Sequence, residues 1–238
     1  MWHTRDRHET TAREDSAMIH LHYFITRRQG LDDDRFYRYW RETHAPIVTR
    51  IRRLKGYVQS HRIPFHMNNT GYDGAAEVWL EDLDALEDLR ASAEFREGAL
   101  KDEPNFIDHT RSDFMVARDH VIIDGPRAPG LVKAVWRMRR KEGVSLGEFH
   151  WLGAHAEAAR KIPGVRRYVQ SHTIDEAYSY GEPRWDGVAQ LWWDSPEALA
   201  DALRTPQFAE DLRDGEDFID GSSISFLLAR EHVIIPSP

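Results

Sequence analysis

Tyr57-Val58-Gln59-Ser60-His61 recurs, residue for residue, as Tyr168-Val169-Gln170-Ser171-His172. Upstream, Trp40-x-x-x-His44 returns as Trp151-x-x-x-His155 at the same shift of 111 residues. Downstream, Asp73-Gly74-x-Ala76-x-x-Trp79 returns as Asp186-Gly187-x-Ala189-x-x-Trp192, shifted by 113. Phe114 to Ile123, with Ala117-Arg118 and His120, reappears as Phe226 to Ile235, with Ala229-Arg230 and His232. Order and spacing are kept over a whole unit, so one module is present twice, and this decides the organisation of the chain before any local reading.

The 238 residues therefore divide into two similar halves rather than one large domain. The expected divisions are a disordered tail over 1–17, a first repeat over 18–124, a linker over 125–130 and a second repeat over 131–238. The tail is polar, without periodicity and without a counterpart in the second copy. A formal charge of −8 argues against binding a phosphate backbone, so nucleic acid is not an expected partner. The absence of cysteine excludes thiolate catalysis, thiolate metal sites and disulfides. No apolar run has the length of a membrane span and no signal core opens the chain, which predicts a soluble, cytoplasmic protein with no membrane partner.

Ile19, Leu21, Tyr23 and Ile25 alternate with His20, His22, Phe24 and Thr26, the period of a strand with one apolar face. Val132, Ala134, Trp136 and Met138 repeat that face. A helix is predicted from about Arg35 to Arg53, with Phe36, Trp40 and His44 at helical spacing and Pro46 bending or interrupting it just after His44. Its second copy is predicted over about Leu146 to Lys161. Second strands at Tyr57–Arg62 and Tyr168–Ile174, third strands at Gly74–Leu80 and Gly187–Trp193, second helices from Leu83 and from Ser195-Pro196, and fourth strands at Phe114–Arg118 and Ser225–Arg230 complete each unit. The fold class is α+β: two ferredoxin-like β-α-β-β-α-β repeats, each a sheet covered on one face by helices. The two uncovered faces pair within the molecule, an internal pseudo-dimer, and further homo-oligomers are allowed.

Imidazole and indole share a helix face at Trp40/His44 and at Trp151/His155, which suits a general acid/base beside an aromatic wall; the alternative is a histidine closing the helix end. Tyr57, Gln59 and His61 share one strand face, as do Tyr168, Gln170 and His172. Such a set either orients a carbonyl or phenol and moves its proton, or lines the contact between the two sheets. Asp73 and Asp186 precede glycine and are expected to cap turns. His120 and His232 are expected to be structural, on a solvent-side tail of each unit. His20, His22 and His66 have no histidine counterpart in the second half. A metal is conceivable there, yet no carboxylate and histidine set shows a recognised ligand spacing, so none is expected.

The combination of Phe36, Trp40, His44, Ala45 and Pro46 with Tyr57-x-Gln59-Ser60-His61 and Asp73-Gly74-x-Ala76-Glu77-x-Trp79 resembles the EthD-domain family of the dimeric α/β-barrel superfamily. The resemblance covers both copies. It implies a barrel of two sheets with helices outside and a pocket in each half between sheet and helices. Related barrels include aromatic polyketide cyclases, decarboxylases, quinone-forming monooxygenases, lactone isomerases and haem enzymes. His155-Ala156-Glu157 in place of His44-Ala45-Pro46 departs from the pattern and puts equal function of the halves in question.

The expectation is a cofactor-independent enzyme acting on a small, apolar, aromatic or polyketide-like molecule by proton transfer next to a carbonyl: cyclisation with dehydration, decarboxylation or isomerisation. His44, His155, His61 and His172 are the catalytic candidates. Tyr57, Tyr168, Trp40, Trp151, Gln59, Gln170, Tyr23 and Trp136 are the substrate-binding ones. The alternatives are a cofactor-free or haem-dependent oxygenase and a non-catalytic binding or accessory protein.

Overall fold

Alternating apolar residues place Ile19–Ile25 as the first strand, β1, with Ile19 and Ile25 buried under helices and His20, His22 and Phe24 buried on the other side. The computed structural model describes residues 18–149, 152–178 and 182–238; the predicted tail lies outside them. β1 is followed by β2 (Gly56–Arg62), β3 (Gly74–Leu80) and β4 (Asp113–Ile123), then in the second half by β5 (Val132–Met138), β6 (Arg167–Thr173), β7 (Gly187–Trp193) and β8 (Ser225–Ile235). Helical segments lie between the first and second and between the third and fourth strands of each half.

The eight strands close into one antiparallel barrel in the order β1-β3-β2-β8-β5-β7-β6-β4. Closure depends on the fourth strands being longer than their apolar cores predict. Asp113 to Ala117 pairs with β1, and Ala117 to Ile123 crosses to pair with β6. Likewise β8 pairs with β5 through Arg230 and with β2 from Ala229 to Ile235. The segments holding His120 and His232, expected as solvent-side tails, are thus the seams between the halves. Among the described residues no sheet edge is left open, which is how a duplicated module satisfies its strand ends without a second chain.

The first helix also differs from expectation. Asp33–Tyr39 is α-helical, capped by Asp32 accepting from the Arg35 amide; Trp40–His44 is a π-helical turn, and Ala45–Val48 finishes the helix well short of Arg53. Pro46 lacks an N–H and would crowd an α-helical carbonyl before it. Widening the preceding turn accommodates it without breaking the axis: the Ala45 amide reaches back five residues to the Trp40 carbonyl, which also accepts from Gln59 Nε2 at 3.0 Å. In the second half, where no proline follows the histidine, the described residues form two short helices, Leu146–Phe149 and Ala154–Ala159, rather than the continuous one predicted. Ser195 caps Pro196–Ala202 as expected, accepting from the Ala198 amide at 3.2 Å. Among the described residues no helix is long and apolar enough to cross a membrane.

Candidate functional site

Strand alternation gives each half two buried faces, one toward the barrel axis and one toward its helices. The helix-facing side holds a cavity in each half: about 380 Å³ in the first, with Tyr23, Trp40, His44, Tyr57, Glu103 and His109 in its wall, and about 330 Å³ in the second, with Trp136, His155, Tyr168, Asp211, Gly215 and Gly221. Both walls are mainly aliphatic and aromatic. Both volumes sit near the lower end of the roughly 300–1,000 Å³ of small-molecule pockets.

The π turn brings His44 into the first cavity. Its Nδ1–H donates to Asp102 Oδ2 at 2.9 Å. Asp102 is held in turn by Tyr39 O–H at 2.6 Å and Asn105 Nδ2 at 3.0 Å on its other oxygen. Burial works against the Asp102 carboxylate, but the hydrogen bonds from Tyr39, His44 and Asn105 outweigh it and hold its pKa below the ordinary value. Burial lowers the pKa of His44 more than Asp102 raises it. The imidazole is therefore neutral near pH 7, with its tautomer set at Nδ1 and Nε2 left as the basic nitrogen.

Next to Asp102 in sequence, Glu103 is buried, and burial together with the Asp102 charge raises its pKa to about 8. It is a neutral acid at pH 7. Tyr23 O–H donates to His109 Nδ1 at 3.0 Å, and His109 Nε2 lies 3.5 Å from Glu103 Oε2. That second contact is too long for a strong ion pair, so burial rather than His109 governs the Glu103 proton. The first cavity thus carries a base and an acid whose proton affinities are pushed apart, the arrangement that assigns acid and base roles at one pH.

Tyr57 accepts from Trp40 Nε1 at 3.2 Å and from Gln59 Nε2 at 2.8 Å. Both phenolic lone pairs are taken, which leaves the O–H as a donor at the cavity wall. Gln59 is oriented by His61, whose Nε2–H donates to Gln59 Oε1 at 3.0 Å. His61 itself stacks between the rings of Tyr37 and Trp40, at centroid distances of 4.7 and 4.8 Å, and meets His232 across the seam at 4.2 Å. Burial, followed by the His232 and Arg41 charges, holds its pKa at about 2. Of the residues read as catalytic from sequence, His61 is two hydrogen bonds away from the cavity. It is an orienting group for Tyr57. His172, bonded to Gln170 at 3.2 Å, stands in the same relation to Tyr168 and meets His120 at 4.5 Å. Asp73 and Asp186, expected to cap local turns, instead accept from the backbone amides of Arg27 and Arg140, each at 2.9 Å and 46 residues away, just past the end of the first strand of their half. Asp73 also accepts from the Arg62 guanidinium at 2.8 Å. Trp151 lies outside the described residues.

The second cavity keeps the histidine and changes its surroundings. His155 Nδ1–H donates to Asp214 at 3.0 Å, the counterpart of Asp102, while its Nε2 faces Asp211 Oδ1 at 3.5 Å. Burial raises Asp211 to about 6, His155 opposing it. Trp136 occupies the register position of Tyr23, since Tyr23 pairs with Ala76 and Phe114 as Trp136 pairs with Ala189 and Phe226. Gly215 takes the place of Glu103, its carbonyl accepting from Ile219 at 2.8 Å as Glu103's accepts from Ile107. Gly221 then stands where His109 does. The Tyr23, His109 and Glu103 set is therefore confined to the first half. Asp102 and Asp214, missed above, do carry a sequence signal: Asp102-x-x-x-Phe106-Ile107-Asp108 repeats as Asp214-x-x-x-Phe218-Ile219-Asp220.

The model of the EthD domain matches residues 28–110 and again 141–222. No curated protein matches the sequence. Among solved structures, an anthrone oxidase-like protein superposes with a TM-score of 0.60 at 14% identity, covering 93% of this chain and 94% of its own. A protein of Lactobacillus acidophilus NCFM, provisionally named a monooxygenase, gives 0.56 at 12% identity over 92% and 97%. A haem-binding protein of Thermus thermophilus gives 0.51 at 15% identity over 90% of each. At these identities the likeness is one of fold, the dimeric α/β barrel, here formed within one chain.

Proposed function

We propose, on the premise that this chain belongs to the EthD domain family, that its first half is an enzyme active site catalysing proton transfer next to a carbonyl of a small apolar molecule, aromatic or polyketide-like. The observation that carries this reading is the pairing, in one apolar cavity, of a neutral His44 oriented by Asp102 with a protonated Glu103. His44 Nε2 removes a proton from carbon α to the carbonyl. Tyr57 O–H donates to the oxygen on which charge develops. Glu103 returns a proton to the product or the departing oxygen, resupplied along His109 and Tyr23. Cyclisation with dehydration and isomerisation use all of these steps; decarboxylation uses the last two, loss of carbon dioxide forming the enolate in place of deprotonation by His44. In this reading each half is a ferredoxin-like β-α-β-β-α-β repeat, over 18–124 and 131–238, and the second, lacking the Glu103 acid, binds without turnover.

Neither cavity, at about 380 and 330 Å³, is roomy enough for haem. A porphyrin with its propionates is a broad, flat guest, and a cavity of about 380 Å³ into which Tyr23, Glu103 and His109 converge is narrow for it. A Soret band in the purified protein would overturn this. A cofactor-independent oxygenase is the second reading: deprotonation by His44 of a phenol or anthrone-like methylene gives an electron-rich anion that molecular oxygen oxidises. The fold-level likeness to an anthrone oxidase-like protein supports keeping it.

The test is hydrogen–deuterium exchange at carbon α to the carbonyl of aromatic ketones incubated in heavy water and followed by NMR. The wild type accelerates exchange on the ligand it accepts, and folded His44→Ala and Glu103→Gln variants lose that acceleration. Exchange at the parent rate in His44→Ala sinks the assignment. Binding without exchange by the wild type identifies a carrier, and ligand-dependent oxygen uptake identifies the oxygenase.

A further inference from the structure

The barrel axis holds a second group of chemically competent side chains, on the opposite face of β1 from the cavity. His20 and His22 both point inward and are each 1% exposed. Their rings are tilted at 35° with centroids 3.7 Å apart, and His20 stacks on the Trp79 indole at 3.9 Å. Asp119, from the part of β4 that crosses to the second half, sits 2.9 Å from His20 Nδ1. It also accepts from Trp79 Nε1 at 3.0 Å and Ser171 Oγ at 2.6 Å. The Nε2 atoms of both histidines are buried without a hydrogen-bond partner. For His20 Nε2 the nearest carboxylate oxygen is Glu77 Oε2 at 3.6 Å, and an orphaned imidazole nitrogen in a polar interior, as at His22, is costly unless something binds it.

We infer that His20, His22 and Asp119 form a site for one divalent transition-metal ion inside the barrel. One ligand atom from each of the three lies within 4.8 Å of the others. Ligands on one zinc ion stand about 3.4 Å apart, at most about 4.2 Å, so the widest separation needs to contract by about 0.6 to 1.4 Å. The ion takes the place of the proton between His20 Nδ1 and Asp119. His20 Nε2–H is then free to donate to Glu77, whose Oε2 is 3.6 Å away, completing the carboxylate–histidine–metal arrangement that fixes a ligand ring. His22 supplies the second nitrogen. Two imidazoles and a carboxylate suit zinc, cobalt or ferrous iron over magnesium or calcium.

Charge agrees. Glu77, Asp119 and Glu231 face the axis against Lys133, with Arg127 over the Trp79 and Trp192 rings at the mouth. Arg167 also lies over Trp192 but is paired with Asp124 at 3.0 Å, and Arg137 with Asp113 at 4.0 Å; with those pairs set aside, three carboxylates face two cations when both imidazoles are neutral. Lys133 does not compete for the ion, because its Nζ is taken up by Glu77 at 2.5 Å and Glu231 at 3.2 Å. In the second half Lys133 and Val135 stand where His20 and His22 do, pairing with Trp192 and Gln190 as those pair with Trp79 and Glu77. Among the described residues the site is single, and it ties β1 to the seam strand β4.

The experiment is calorimetric titration of the full chain, stripped with EDTA, with zinc chloride, and with cobalt chloride followed by visible absorption. One equivalent is expected per chain, with nitrogen-ligand d–d bands and a raised thermal midpoint. His22→Gln should weaken binding by more than about 100-fold, beyond the 10–100-fold loss typical of an outer partner, while His66→Gln leaves it unchanged. Nitrogen-15 NMR of the wild type, free of any folding question, should show zinc shifting ring nitrogens of both His20 and His22. Absence of stoichiometric uptake, unshifted His20 and His22 nitrogens at saturating zinc, or full affinity in folded His22→Gln each overturns the site and leaves the pair as a proton-holding core.

Discussion

Replacing Glu103 by glutamine removes a proton that the fold holds far above its ordinary affinity, and this can be read without knowing the substrate. The pKa rises from 4.5 to about 8 because burial, and then the Asp102 charge, disfavour the carboxylate. Between those values the folded state binds one more proton than the unfolded state. The resulting stabilisation is complete below pH 4.5 and is lost as pH rises through about 8. The full span is worth on the order of 5 kcal/mol, at about 1.36 kcal/mol per pH unit. Buried His44 and His61, whose pKa values are lowered, contribute in the opposite direction, so the wild-type profile alone is ambiguous. The difference between Glu103→Gln and wild type isolates the carboxyl. From about pH 5.5 to 7.5 the variant should gain about 2.7 kcal/mol relative to wild type. Urea unfolding followed by tryptophan fluorescence at both pH values measures it. A difference that stays constant within about half a kcal/mol would refute the buried acid and with it the proposed role of Glu103.

Asp102→Asn leaves the hydrogen-bonding shape near His44 while removing the charge that fixes its tautomer; α-proton exchange should fall about 100-fold or more with ligand affinity within about threefold, and equal loss in both would point to a packing role. Lys133→Met strands Glu77, which burial would raise and Lys133 instead holds at about 2; with both side chains fully buried, chemical denaturation should show a loss of about 3–5 kcal/mol, and a loss below about 1 kcal/mol would mean that Glu77 is neutral. Gly74→Ala would set a Cβ 2.4 Å from the Ser60 carbonyl and 2.8 Å from the Trp40 ring. Backbone cannot yield there as a flexible side chain would, so a cost of about 2–3 kcal/mol is expected in the same assay; an unchanged midpoint would show that the β2–β3 pairing shifts freely.

What the sequence makes legible follows from the range over which each force acts. Strand alternation at Ile19 to Ile25 is local, so the apolar, helix-facing side of β1 is readable from the residue pattern alone, whereas the burial of His20 and His22 on its other side depends on the facing strands. Duplication supplies the long-range part, because identical modules with one uncovered face each have an obvious partner. The seams are not readable in this way: Val121 to Ile123 pair with β6, and nothing in their own pattern names a strand some fifty residues away. The π turn follows from Pro46 once the helix is known to continue, yet proline alone equally allows a break. Asp102 and Glu103 lie where a short helix runs into a 3₁₀ turn, a stretch without periodicity, and only the repeated Asp-x-x-x-Phe-Ile-Asp marks the first of them. That repeat also bears on function. The copies keep His44 and His155 with their carboxylates, which packing and helix ends reward equally in both halves. They differ at Tyr23, Glu103 and His109, each replaced in the second half by a residue that cannot take part in proton exchange, tryptophan at one position and glycine at two. The second cavity has instead Asp211 facing His155, so the two pockets are not equivalent, and the acid, base and relay of the proposed reaction come together in the first half.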